Sequence, residues 1–197
     1  MTYHLGLTGS IGTGKSTTAQ MFVDLGCAHW DADAAVHRIY GVNGAAVAPL
    51  QAAFPGVVVD GAVRRPALRA YLGENPNAFR QLEAIVHPLV SHDRDAFRAA
   101  CTADIAIYDI PLLFENGTEA QMDGVAVTSV EPETQRARVM ARGTMDAAQF
   151  EQIKARQMPD AEKRARADFI IETDTLEHTQ AQVAAIVDQI KQGQRDA

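Results

Sequence analysis

The sequence predicts an α/β fold: a mostly parallel five-stranded sheet with helices on both faces, a helical insertion for the substrate and a helical lid. Three observations carry this expectation. Short apolar segments of strand length alternate with helix-length segments along the 197-residue chain. The first of them ends in a glycine-rich turn that runs straight into a helix-forming stretch. Two further stretches, about residues 34–100 and 132–166, add helical segments to the alternation, the first of them far longer than a crossover between strands needs.

The strands are expected at Tyr3–Thr8, Cys27–Asp31, Ile105–Ile110, Gly124–Val130 and Asp168–Ile171, each short and apolar as strands covered on both faces are. The helix after the first strand runs through Ala19, Phe22 and Val23 and stops near Gly26. The roughly 70 residues between the second and third strands read as helical. Pro66, Pro76 and Pro88 each stand where a proline can open a helix, and Phe79, Leu82 and Val86 share one face at helical spacing. The expected organisation is one domain: a core of residues 1–33, 101–131 and 167–197, an insertion over about 34–100 suited to substrate capture, and a lid over about 132–166. Between Arg136 and Arg166 stand eight of the chain's eighteen Lys and Arg against four acidic residues. That excess suits a basic flap over an anionic ligand; it also suits a solvated helical face.

Hydrophobic residues at 47% and charged residues at 22% are ordinary for a soluble globular protein. A formal net charge of −7 argues against a general nucleic-acid binder, which needs a basic footprint. Cys27 and Cys101 read as small core residues, since two cysteines build no disulfide framework. The first strand begins almost at residue 1, so no targeting segment is expected, and no apolar run approaches the roughly 20 residues of a membrane span. The expectation is a soluble, cytoplasmic protein without membrane or nucleic-acid partners. No coiled-coil pattern or exposed stripe announces an interface, which points to a monomer or weak homo-oligomer.

The turn after the first strand, Gly9-Ser-Ile-Gly-Thr-Gly-Lys-Ser16, matches G-x-x-x-x-G-K-[ST] in full. This is the P-loop of the P-loop NTPases, and its composition has a physical reason. The loop wraps a phosphate with backbone N–H groups that no Cβ may obstruct, and the following helix points its positive end at the same phosphates. Lys15 can reach the β- and γ-phosphates, and the Ser16 hydroxyl is placed to ligate Mg²⁺. Neither N-K-x-D nor D-x-x-G occurs anywhere in the chain, which counts against a signalling GTPase. Asp31-Ala-Asp33 closes the second strand, at the carboxyl edge where open parallel sheets hold their ligands. A carboxylate there can orient an acceptor hydroxyl and take its proton; it can also simply cap the next helix at Ala34. Arg138 and Arg142, four apart on a predicted helix, share a face and can neutralise charge on a transferred phosphoryl. In Asp109-Ile-Pro-Leu-Leu-Phe-Glu115 the middle reads as core, with Glu115 a supporting carboxylate near the metal.

Together these residues resemble the dephospho-coenzyme A kinase family, nearly end to end. The anchors are the P-loop, Asp31-Ala-Asp33, Arg65-Pro-Ala-Leu-Arg69, Ile85-Val-His-Pro-Leu-Val90, Pro111-Leu-Leu-Phe-Glu115, Pro132-Glu-Thr-Gln135 with Arg138 and Arg142, Gln157, and Ala167-Asp-Phe-Ile170. The resemblance implies an enzyme that moves the γ-phosphoryl of ATP, with Mg²⁺, to the ribose 3′-hydroxyl of dephospho-CoA, giving CoA and ADP in the last step of coenzyme A biosynthesis. It implies that Gly9, Gly12, Thr13, Gly14, Lys15, Ser16 and Thr17 hold ATP and that Asp33 is the general base, with Asp31 beside it near the Mg²⁺ hydration shell. Thr8 and His87 become substrate-side contacts, and Arg138 and Arg142 lid arginines that close on the phosphates. The chain departs from the family pattern at Ser10, Thr13 and Gly143, and most at Glu172-Thr173, where an Asp-Asn pair usually follows the last strand.

Overall fold

In chain order, β1 (Tyr3–Gly9) leads into α1 (Lys15–Asp24) and β2 (Ala28–Asp31). Then come α2 (Ala32–Tyr40), α3 (Val47–Ala53), the hairpin of β3 (Val58–Val59) and β4 (Ala62–Val63), α4 (Arg65–Glu74) and α5 (Ala78–Ala100). The chain continues as β5 (Ile105–Asp109), β6 (Gly124–Ser129), α6 (Pro132–Ala141), α7 (Ala147–Arg156), α8 (Asp160–Arg166), β7 (Phe169–Glu172) and α9 (Leu176–Arg195). This computed structural model describes residues 1–195. The chain divides into two compact units, Met1–His29 with the chain from Cys101 onward, and Trp30–Ala100.

The main sheet has the order β2-β5-β1-β6-β7. β1 pairs in parallel with β5 on one side and β6 on the other, and β6 pairs in parallel with β7. Strand β1 is therefore central, and its register sets Leu7 against Asp109 and Gly9 against Thr128. Alternation along the strands divides the core. Leu5, Leu7, Ile105, Ile107, Ala126 and Ile171 face α1 and α9, whose Ala19, Phe22, Val183 and Ile186 complete one cluster. The opposite side of β1 is fitted to the segment after β5: a Cβ on Gly6 would come within 3.1 Å of Leu113 and Met122. All five expected strands are present, with ends shifted by one residue at most.

Trp30–Ala100 has its own core of Ile39, Tyr40, Leu50, Phe54, Leu68 and Val86. Three sequence expectations change here. The region is not wholly helical: Asp60 and Gly61, both at positive φ, make the two-residue turn of a hairpin pairing Val58 with Val63. Pro66 does sit in the first turn of α4, but Pro88 lies inside α5 instead of opening a helix. The carbonyl that Pro88 deprives of a partner belongs to exposed Ala84, where water can bond it, so the helix runs on. Leu82 and Val86 pack into the core as their spacing predicts, whereas Phe79 is 53% exposed.

Candidate active site

β1 delivers the chain to Gly9 and α1 begins at Lys15, so the phosphate loop is the turn between them. A Cβ on Gly9 would stand 2.1 Å from Thr128 Oγ1 and 2.6 Å from Thr13 Oγ1, so only glycine lets the loop lie this close to β6. Gly12 has φ 81°, and a Cβ there would meet Val139 of α6 at 2.5 Å. Side chains tie the loop down. Thr13 Oγ1 donates to Ser10 O at 2.8 Å and lies 2.8 Å from Thr128 Oγ1. Gln157 accepts from the Ile11 N–H at 3.0 Å, and Gln135 donates to Ile11 O at 2.8 Å. Thr13 therefore spends its hydroxyl inside the loop, whereas the hydroxyls of Ser16 and Thr17, on the first turn of α1, stay exposed.

Lys15 donates to the carboxylate of Asp109, the last residue of β5, whose other oxygen lies 3.9 Å from His29 Nε2. Asp109 is almost fully buried. Burial alone would raise its pKa, but the neighbouring His29 imidazole and the Lys15 ammonium outweigh that and hold the carboxyl below its ordinary value. The pair is thus a preset charge on the lysine that the motif assigns to phosphates. Asp109 and His29 were not singled out by their own pattern. The available signal was a carboxylate closing a strand that neighbours β1.

Asp31 and Asp33 part ways. Asp31 is the N-cap of α2, its Oδ1 accepting from the Ala34 N–H at 2.7 Å, as a purely structural reading of the position foresees. Asp33, in the first turn of the same helix, is exposed and has no hydrogen bond or ion pair among the described residues. His87 is exposed on α5. Thr8 is fully buried and donates to Pro111 O at 3.1 Å.

The two arginines also differ. Arg138, on α6, donates to Thr173 O at 2.6 Å and Thr173 Oγ1 at 3.1 Å. Arg142, just past α6, is exposed and has no such bonds among the described residues. Both line a cleft of about 260 Å³ with Gly14, Thr17 and Asp174. Thr173, the site of the family departure, is a junction: its hydroxyl donates to Thr13 O at 2.7 Å and its N–H to Ser129 O at 2.9 Å. Glu115 is held by the segment after α7. It accepts from the Met158 N–H at 2.7 Å and pairs with the fully buried Lys163 at 3.1 Å.

A phosphate loop in its strand-to-helix setting, beside a lysine held by a strand-end carboxylate and a cleft bearing a free arginine, defines a P-loop kinase. Comparison with known proteins narrows this class. The profile of the family described as "Dephospho-CoA kinase" matches residues 3–178. A dephospho-CoA kinase of Ruegeria pomeroyi is 66% identical over 193 residues, covering 98% of each chain. Among solved structures, a Thermus thermophilus protein superposes with a TM-score of 0.84 at 31% identity, covering 94% of this chain and 96% of its own. A dephospho-CoA kinase from Campylobacter jejuni superposes with a TM-score of 0.70 at 25% identity, covering 98% of this chain and all of its own. The chain belongs to the dephospho-CoA kinase family, and its function is that family's: ATP-dependent phosphotransfer. No described helix is long and apolar enough to cross a membrane.

Proposed function

We propose that the chain transfers the γ-phosphoryl of ATP to the ribose 3′-hydroxyl of dephospho-CoA, with Asp33 as the general base. The observation that carries this reading is the unpartnered Asp33 carboxylate, in a chain whose phosphate loop is complete. Asp31 fixes the start of α2 and so the place of Asp33; Asp33 then accepts the hydroxyl proton as the oxygen attacks. The loop N–H groups from Gly9 to Thr17 hold the donor phosphates, and Lys15, oriented by Asp109, meets the charge that develops on the transferred group. Arg142 adds a second cation there. Arg138, bonded to Thr173, holds the wall of the cleft. Thr8 sets the Pro111 turn, and His87 meets the acceptor.

Mg²⁺ fits the donor set: the exposed Ser16 hydroxyl and the ionised Asp109 carboxylate are oxygen ligands of the kind it takes, directly or through water. When bound, it neutralises charge on the β- and γ-phosphates. On this reading the protein works in the cytoplasm, as a monomer or weak homo-oligomer without nucleic-acid or membrane partners. The reaction is tested by incubating the protein with Mg-ATP and dephospho-CoA. An acceptor heavier by one phosphoryl, located by phosphorus NMR on the ribose 3′ position, is expected. ADP release that ignores dephospho-CoA, with no phosphorylated acceptor, would overturn the reading.

A further inference from the structure

Resting on that reading, we infer that Gln135 and Gln157 are positioning residues for ATP: they hold two peptide planes of the phosphate loop from outside it, and the buried Lys163–Glu115 pair fixes Gln157 in place. None of the four has a role in the mechanism above. All lie in the unit formed by Met1–His29 and the chain from Cys101 onward.

Loop N–H groups hold a phosphate only when their peptide planes face it. The plane between Ile11 and Gly12 is the one least able to hold itself, because Gly12 sits at φ 81° and glycine takes either sign of φ readily. Side chains hold it instead. Gln135 Nε2 donates to Ile11 O at 2.8 Å, and Gln157 Oε1 accepts from the Ile11 N–H at 3.0 Å. No described peptide bond is cis, so the N–H and C=O of one plane point opposite ways. Gln135 thereby turns the Gly12 N–H away from its own amide, and that N–H has no hydrogen-bond partner among the described residues. Gln157 likewise turns Ser10 O back into the loop, where it accepts from the Thr13 N–H at 3.2 Å and from Thr13 Oγ1 at 2.8 Å. A flip of the Ile11–Gly12 plane would set a carbonyl, in place of an N–H, against the donor phosphates.

The two glutamines are themselves fixed. Gln135 is only 5% exposed, and its backbone carbonyl lies 3.1 Å from where a Cβ on Gly12 would stand. Gln157 ends α7, and the next residue, Met158, donates its N–H to Glu115 at 2.7 Å. Glu115 in turn pairs at 3.1 Å with Lys163, which is fully buried. Apolar residues of similar size often serve stability as well as a buried ion pair does. Here Glu115 Oε2 is also shut off from solvent with no hydrogen-bond partner among the described residues, a further cost. Stability alone does not account for the pair; an acceptor kept at a set place beside Gln157 does.

The test is equilibrium binding of ATP and, separately, of dephospho-CoA, with Tm on the same preparations. The proteins are the full chain, Gln157→Met, Gln135→Met and a double variant, Glu115→Met with Lys163→Leu. Methionine keeps the length of glutamine and removes its hydrogen bonds. Each glutamine variant is expected to weaken ATP binding about three- to tenfold, the worth of one hydrogen bond, with dephospho-CoA affinity within about twofold of the parent. The double variant is expected to keep Tm within a few degrees, since apolar side chains replace both charges, yet to weaken ATP binding about threefold. Gln157 is partly exposed, so Gln157→Met folds even if the other variants do not. Parent-like ATP affinity in Gln157→Met or in a folded Gln135→Met, even with a lowered Tm, would overturn the clamp. Parent-like ATP affinity in a folded double variant would overturn the part given to Lys163 and Glu115. Failure of the proposed reaction reads differently: a parent that binds ATP and leaves dephospho-CoA unphosphorylated.

Discussion

The phosphate loop and the helical segment α6 to α8 both carry groups suited to phosphates, but they are wired differently. In the loop, Thr13, Ile11 and Ser10 are bonded to Thr128, Gln157, Gln135 and one another. Its shape is set before any ligand arrives. The helical segment is divided. Arg138 is bonded into the loop after β7, Arg136 pairs with Glu151, and Lys163 with Glu115, while Arg142 has no such partner among the described residues. The same division separates Asp31, a cap, from Asp33, a free carboxylate. Bonded side chains set the shape of the site, and on the proposed reading Asp33 and Arg142 are held in reserve for ligand while Lys15 reaches it from its pair with Asp109.

The largest break in that pattern should come from the two aspartates. Asparagine caps a helix as well as aspartate does, so Asp31→Asn should keep kcat within a fewfold and leave Tm unmoved. Asp33→Asn should lower kcat about 10²- to 10⁴-fold in steady-state assays, with little change in the KM for ATP. Equal losses in the two variants would show that the cap is not the whole role of Asp31. Next in size, Lys15→Ala should lower kcat/KM about 10²- to 10³-fold, because a charge aimed at the transferred phosphoryl is gone.

A smaller effect sharpens the bonded side of the comparison. Asp109 has a folded pKa below that of the unfolded chain. Its stabilisation is therefore complete above the ordinary carboxylate value, about pH 4, and is lost as pH falls below that toward the folded pKa. Melting curves from pH 5 to pH 3 should show a steeper fall in Tm for the parent than for Asp109→Asn. Matching slopes would mean that the charge is not held as described.

How much of this could be read in the chain follows the same physics. Strands buried on both faces announce themselves by apolar runs, and the loop by glycines that geometry allows no other residue to replace. That is why the five strands and the turn at Gly9–Ser16 were readable from residue types alone. Asp33 stood out only as one of a pair; which of the two is bonded depends on the backbone entering α2. The hairpin at Asp60-Gly61 carries its turn residues inside a stretch whose other residues favour helix. Pro88 misled because its cost depends on whether the freed carbonyl meets water, a tertiary fact. The pairing of Lys15 with Asp109 and the junction at Thr173 join residues 94 and 160 positions apart in sequence, and no local pattern encodes such partners.

The most direct test of this account sets Arg142→Ala beside Arg138→Ala, measuring kcat and Tm on the same preparations. Arg142→Ala should lower kcat about 10²- to 10³-fold with Tm unchanged, since its contact forms only with the transferred phosphoryl. Arg138→Ala should lower Tm by several degrees, through loss of hydrogen bonds worth roughly 1.5–3 kcal/mol, and cost less in kcat. The reverse outcome, a destabilised Arg142→Ala with normal turnover and a stable, inactive Arg138→Ala, would contradict it.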